Sequence, residues 1–238
     1  MHPLDLLVRK LSASHPLSGD DEAAIRDLPH ITKRVPRASY LAREGEPVTH
    51  CTVLVTGFAC RHKVAYSGAR QIISIQIPGE ALDFQSLYLD ELDHNQQTLT
   101  EADLAVIPMR ALRDLVAARE TVAIAVTHCL LVEGLILREW LLNIGKRTAR
   151  ERLAHLLCEY AVRLDAQGLS DGRGYELHMT QEQLGDALGL TGVHVNRSIR
   201  ALREEGLIEH RGRVVSFPDI DRLRKAADFS EMYLHLRR

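Results

Sequence analysis

The sequence predicts an α+β chain in three successive parts: an all-β sandwich or barrel, one long helix, and a helix-turn-helix with a trailing hairpin. Three observations carry that reading. Gly45, Gly57, Gly68 and Gly79 fall 12, 11 and 11 residues apart in turn-like contexts, with β-rich runs between them. From Ala111 to Ile144 there is no Pro, and the one Gly is Gly134. Residues 180–208 hold two helix start signals separated by a glycine turn.

Short amphipathic helices are expected over residues 4–11 and 20–28; in the first, Leu4, Leu7, Val8 and Leu11 recur at helical spacing. Strands follow at Thr52–Val55 and Ile72–Ile77, where Ile73, Ile75 and Ile77 alternate and should share one face. A last strand fits Ala102–Ile107, closed by Pro108. The proline-free run can form one helix of 34 residues, about 50 Å long. Within it Ala123, Thr127, Leu130, Gly134, Leu137, Leu141 and Ile144 follow the 4-3 spacing of a coiled-coil seam. Ile124, Leu131 and Leu135 form a second apolar strip. Two strips need two partners: the chain's own β domain and a second copy of the chain. Gly145 is expected to break the helix, with Lys146, Arg147, Arg150 and Arg152 opening a basic one. The domain boundaries are then 1–110, 111–145 and 146–238.

A length of 238 residues, 45% hydrophobic and 26% charged, excludes a mostly disordered chain, a collagen and a multispan membrane protein. A net charge of -2 excludes a basic nucleic-acid coat. The charge is uneven, net -4 over residues 1–144 and net +2 over residues 145–238. Cys51, Cys60, Cys129 and Cys158 lack metal-knuckle spacing and fit a reducing cytosol. The most apolar run, Thr121–Leu137, contains His128 and Glu133; at 17 residues it is short of the roughly 20 a membrane span needs, so a buried helix is expected. The opening Met1-His2-Pro3-Leu4-Asp5 lacks a signal-peptide pattern, which predicts a cytoplasmic protein with no membrane partner.

The C-terminal part carries the function. Thr180 is a good N-cap, and Gln183 completes a capping box. Leu184, Ala187 and Leu188 give the first helix an inward face, and Gly189 supplies the turn. Thr191 caps a second helix whose Val195, Ile199 and Leu202 face inward, and Gly206 ends it. Its outward face is Gly192, Val193, His194, Asn196, Arg197, Arg200 and Arg203, with no acid before Glu204. That is what a major-groove reader needs: Asn pairs bidentately with adenine, and Arg pairs with guanine or phosphate. Arg200 and Arg203, further along, are expected at phosphates. Glu209–Val215 then reads as a basic hairpin turning at Arg211-Gly212, a wing placing His210, Arg211 and Arg213 against the DNA backbone.

That order of parts resembles the CRP/FNR superfamily of bacterial transcription regulators over nearly the whole chain. The residues that carry the resemblance are Gln-x-x-Leu-Gly-x-x-Leu-Gly-Leu-Thr and Val-Asn-Arg within Thr180–Ile208, the Pro78-Gly79-Glu80 turn and Arg147–Leu157. The resemblance implies an N-terminal double-stranded β-helix (a β-roll of the cyclic-nucleotide-binding kind), a long dimerisation helix and a C-terminal winged helix-turn-helix. It further implies a homodimer on double-stranded DNA, at a pseudo-palindromic operator with half-sites about 34 Å apart. RNA polymerase is a further partner if the protein activates.

Two departures matter. Val193 stands where the family commonly has an acid, and it can touch a thymine methyl but cannot accept from cytosine. Cyclic-nucleotide members hold the phosphate with a Gly-Glu pair and an Arg-Ser or Arg-Thr pair; here that region runs through Phe84-Gln85 and Asn95-Gln96-Gln97-Thr98. From Gln71 to Met109 there is no Lys or Arg, against seven acids: Glu80, Asp83, Asp90, Glu91, Asp93, Glu101 and Asp103. A buried phosphate needs a cation and free N–H groups, so cyclic-nucleotide binding in the usual mode is expected to be absent or weak. The N-terminal cysteine cluster of iron-sulfur members is missing, since no Cys precedes Cys51. The alternative is a ligand-gated sensor that binds a nucleotide through non-standard residues, haem through His62 or His128, or a redox signal through Cys129 or Cys158. No catalytic constellation is recognisable beyond an isolated pairing of Asp93 with His62 or His94, so no enzyme, cofactor or metal is expected.

Overall fold

The computed structural model describes residues 2–236, which divide into two units: residues 2–63 with 73–134, and residues 64–72 with 135–235. The first begins with helices α1 (Asp5–Ser14) and α2 (Gly19–Arg26), as the sequence predicts. Strands β1 (Ile31–Val35), β2 (Tyr40–Ala42), β3 (His50–Leu54), β4 (Ala59–Val64), β5 (Arg70–Gln76), β6 (Asn95–Thr98) and β7 (Ala102–Pro108) follow, with a 3₁₀ turn at Phe84–Leu87. They form two antiparallel sheets, ordered β1-β7-β3 and β2-β6-β4-β5. Val35, Leu54, Ala59, Leu82, Ala102 and Leu104 form one buried core cluster of this β-roll. The four recurrent glycines sit at turns with φ between +81° and +92°. The alternation in β5 is offset from the expected one: Ile72, Ile75 and Ile77 are buried, while Ile73 is only half-buried.

Residues 111–144 are not one helix. The chain forms α3 (Met109–Ala118) and α4 (Glu120–Lys146), with Arg119 extended between them. No Pro or Gly marks this break; a tertiary contact accompanies it. Arg119 Nη1 and Thr121 Oγ1 both donate to the buried carboxylate of Asp21, at 3.0 and 2.8 Å. Bonds from Ser18, Thr121 and Arg119 hold that carboxyl well below its ordinary range. Gly145 does not break α4 either; the helix continues to Lys146, and the next begins after Thr148, whose side chain forms a capping box with Glu151.

In the first half of α4 the buried strip is Val122, Ala125, Val126, Cys129 and Val132, most of it packed with α1 and α2 in one core. Neither strip named from the sequence is this one. Ile124 and Leu131 remain exposed, and Leu137 and Leu141 are 46% and 73% exposed. The helix is therefore buried on one side only. It is long and apolar enough to cross a membrane by length and composition.

The second unit holds α5 (Ala149–Ala166), β8 (Gly174–Glu176), α6 (Gln181–Leu188), α7 (Gly192–Glu204), β9 (Glu209–Arg211), β10 (Val214–Ser216), α8 (Ile220–Ala226) and a 3₁₀ turn at Glu231–Leu234. Its sheet is ordered β8-β10-β9, so the wing hairpin gains a third strand that the sequence does not announce. Glu159, fully buried on α5, accepts from Trp140 Nε1 (3.0 Å), Tyr233 Oη (2.9 Å) and Arg163 Nη1 (3.1 Å). One paired charge thus ties the end of α4 and the C-terminal turn to α5.

Candidate nucleic-acid interface

The helix-turn-helix forms for the local reasons its sequence supplies. The Thr180 hydroxyl accepts from the Gln183 N–H, and the Gln183 side chain reaches back to the Thr180 N–H. Gly189 closes α6 in the left-handed region, φ +63°, which only Gly occupies at little cost. Gly185 leaves room for the turn: a Cβ there would lie 2.5 Å from the Leu190 carbonyl oxygen. Thr191 caps α7 by accepting from the His194 N–H. Val195, Ser198 and Leu202 are buried and Ile199 is half-buried, so α7 packs inward along the expected stripe.

The α5 arginines prove to be clamps on this motif. Arg152 Nη1 donates to the Leu188 carbonyl at 3.0 Å, satisfying the end of α6. Arg150 Nε donates to Glu205 at 2.7 Å, pinning the end of α7. Arg147 is buried and pairs with Glu139 at 2.7 Å. The basic cluster at 147–152 therefore builds the unit rather than facing outward.

The outward face of α7 is as expected. Val193 is 68% exposed, and His194, Asn196, Arg197, Arg200 and Arg203 are exposed. A Cβ at Gly192 would meet nothing within 4 Å, so the first turn presents bare backbone. Arg197 carries no ion pair or hydrogen bond within the described residues and is ready for a ligand. Arg200 pairs with Glu204 at 2.7 Å on the surface, a solvent-screened bond that is easily exchanged. His194 Nδ1 lies 3.1 Å from Thr191 Oγ1. Asn196 is not free: it exchanges two hydrogen bonds with Gln181, a residue the sequence reading passed over because fifteen positions separate the two.

The wing forms as a hairpin turning at Gly212, with Arg211 and Arg213 exposed and His210 half-buried. An open cleft of about 490 Å³ lies between α7 and the wing, lined by Arg200, Arg203, Glu204, Glu209, His210 and Arg211. Burial and the neighbouring Arg203 charge push His210 below its ordinary range. Three guanidinium groups at one cleft suit a phosphate oxygen.

In the β-roll the structure supplies a cation that the local charge count misses. Arg61, from β4, is buried; it donates to the Leu82 carbonyl at 2.6 Å and to Glu133 at 2.8 Å. Beside it, burial raises the Asp83 carboxyl above its ordinary range, although Gln96 and the Thr52 N–H both donate to it. A cavity of about 320 Å³ has Asp83 and Gln96 in its lining. His94 Nδ1 lies 2.8 Å from Asp93, and burial lowers its pKa. All four cysteines are buried thiols, and burial drives those of Cys51, Cys129 and Cys158 up, that of Cys158 to about 12. Such thiols are poor redox sensors. Among the described residues no three His, Cys, Asp or Glu side chains converge on a metal site.

Comparison with known proteins agrees with this geometry. The Crp-like helix-turn-helix domain matches residues 151–226, and the cyclic nucleotide-binding domain matches residues 32–119. Nitrogen fixation regulation protein FixK of Rhizobium meliloti is 30% identical over 167 residues, 69% of this chain and 72% of FixK. Transcriptional activator protein FnrL of Cereibacter sphaeroides is 27% identical over 77% of this chain and 75% of FnrL. The solved structure of FixK2 from Bradyrhizobium japonicum shares the fold, with a TM-score of 0.78 at 22% identity over 85% of this chain and 100% of that one. With both domains in the family's order and a regulator matched over more than two thirds of both chains, the protein belongs to the CRP/FNR family of transcription regulators and ends in a helix-turn-helix DNA-binding domain.

Proposed function

We propose that the protein acts as a homodimer on a pseudo-palindromic DNA operator, reading bases with the first turns of α7 and gripping phosphates with Arg200, Arg203 and the wing. The observation that carries this is the outward face of α7: capped at Thr191, packed from behind, and free of acids from Gly192 to Arg203. Gly192, Val193, His194, Asn196 and Arg197 lie where a recognition helix reaches base edges. Thr180, whose hydroxyl proton is not consumed by its cap, and Arg200, Arg203, His210, Arg211 and Arg213 suit backbone contacts.

The second copy is argued from α4. Leu137 and Leu141 stand exposed on the 4-3 strip that also carries Ala123, Thr127, Leu130 and Gly134. Among the described residues nothing covers Leu141, and Leu137 is nearly half exposed. The strip's 4-3 spacing fits another α4 better than lipid, since Glu133, Arg138 and Glu139 interrupt the same helix.

The β-roll reads as a domain without a working cyclic-nucleotide site. Arg61 is already engaged by Glu133 and Leu82, and a phosphate would meet Asp83. Neither a haem nor a redox signal gains support from buried His62 or the buried thiols. The same features give no support to an enzyme. RNA polymerase is the further partner if the protein activates, and the cytoplasm the compartment. The test is a duplex selected by the full-length protein from a randomised pool. Arg197→Ala should lower affinity for that duplex by about 1–3 kcal/mol; unchanged affinity removes Arg197 from the reading set, and failure to select any duplex removes the function.

A further inference from the structure

The helix-turn-helix brings the first residue of α6 against the middle of the outward face of α7. Gln181 Nε2 donates to Asn196 Oδ1 at 3.0 Å, and Asn196 Nδ2 donates to Gln181 Oε1 at 2.8 Å. Both side chains are exposed, and both hydrogen bonds close a single ring between two carboxamides. Each amide therefore uses its oxygen and the N–H on the same side as that oxygen.

That is the edge a bidentate adenine contact requires: adenine N6–H must find the Asn oxygen, and adenine N7 must accept the N–H on the same side. The remaining N–H and the remaining oxygen lone pair of Asn196 point in divergent directions and cannot both meet one base. We propose that Gln181 is a specificity-determining positioning residue, which withholds the adenine-reading edge of Asn196 and leaves it a single hydrogen bond to give in the groove. Opening the pair to grip adenine would trade two amide bonds for two others of the same kind, so adenine gains little over its competitors. This corrects the simple expectation that Asn on a recognition helix reads adenine. It rests on the proposed reading of α7 as the groove-facing helix.

The experiment compares wild type, Gln181→Met, Asn196→Ala and the double variant, all full-length, by selection from one randomised duplex pool at one salt concentration. Gln181→Met keeps the length of the side chain and removes both hydrogen bonds. Gln181→Ala is run beside it, so that a folding defect in one variant does not decide the result. Thermal melts check that each variant is folded. Freed from its partner, Asn196 should gain a preference for adenine at one position per half-site, by about fivefold, the low end of one bidentate contact. Asn196→Ala in the same background should abolish that gain, a response that mere loss of helix stability would not produce. The inference is overturned if wild type already demands adenine at the position that Asn196→Ala relaxes, or if the Gln181 variants select the wild-type sequence unchanged. If wild type selects no sequence at all, the underlying reading of α7 falls as well, which is a distinguishable outcome.

Discussion

His155 lies fully buried on α5, 3.3 Å from Glu139 and against the rings of Phe229 and Tyr233. Neither ring nitrogen finds an aligned hydrogen-bond partner. Burial, and then the nearby Arg147 charge, lower its pKa to about 3. The native state therefore refuses a proton that the unfolded chain accepts near pH 6.5. The stability tied to this site is fully present above that pH and is lost as the pH falls toward 3. By pH 4.5 the loss should reach on the order of 2–3 kcal/mol. His155→Phe should flatten the fall of unfolding free energy between pH 7 and 4.5 by about that amount, as measured by urea titrations at both pH values. Parallel curves for the two proteins would show that His155 titrates normally. The same physics applies at Cys158, where burial pushes the thiol up to about 12 and leaves little thiolate for an oxidant.

The helix α4 buries one apolar face and leaves another exposed. Its inward strip, Val122 to Val132, was hidden in the sequence because apolar residues occupy nearly every position from Val122 to Leu137. A periodic signal needs polar residues on the other side, and this helix has few. Of the 4-3 strip, Leu137 and Leu141 stand exposed, whereas Leu130 is half-buried against the core. If that strip pairs two copies, Leu137→Glu with Leu141→Glu places four carboxylates in one apolar seam, and burying unpaired charge is costly. Sedimentation equilibrium should then show the dissociation constant raised at least about hundredfold with helix content unchanged. A variant that sediments as the wild type does would refute the seam, and a wild type that partitions into lipid vesicles would assign the face to a membrane instead. The break at Arg119 was not legible at all. It coincides with a bond to Asp21, about a hundred positions away, and local propensity carries no trace of such a contact.

The molecule as a whole divides its charge. The family's DNA-binding unit carries the surplus of Lys and Arg, but three of its arginines, Arg147, Arg150 and Arg152, are spent inside on Glu139, Glu205 and the end of α6. Of the exposed cations, Arg200, Arg203, Arg211 and Arg213 are the ones proposed above for phosphates. A dimer would offer twice that set, so log affinity should fall against log salt with a slope near about -7. Anisotropy titrations of the selected duplex across roughly 50 to 200 mM salt measure it. A slope of about -3.6 would match one protomer on the DNA. A flat response would be incompatible with phosphate contacts of any number.

The sequence by itself determined the parts that depend on near neighbours: the capping boxes at Thr180 and the cap at Thr191, the glycine turns, the inward stripe of α7 and the acid-free face opposite it. Each of these is a relation between residues at most a few positions apart, and backbone geometry enforces it locally. What only the tertiary structure decided are relations across the chain. Arg61 reaches the acid-rich stretch from another strand, the α5 arginines turn inward to clamp the helix-turn-helix, and Gln181 occupies the edge of Asn196. A guanidinium or an amide has the same chemistry wherever it falls in sequence, and its role is set by the partner that folding brings within 3 Å or so.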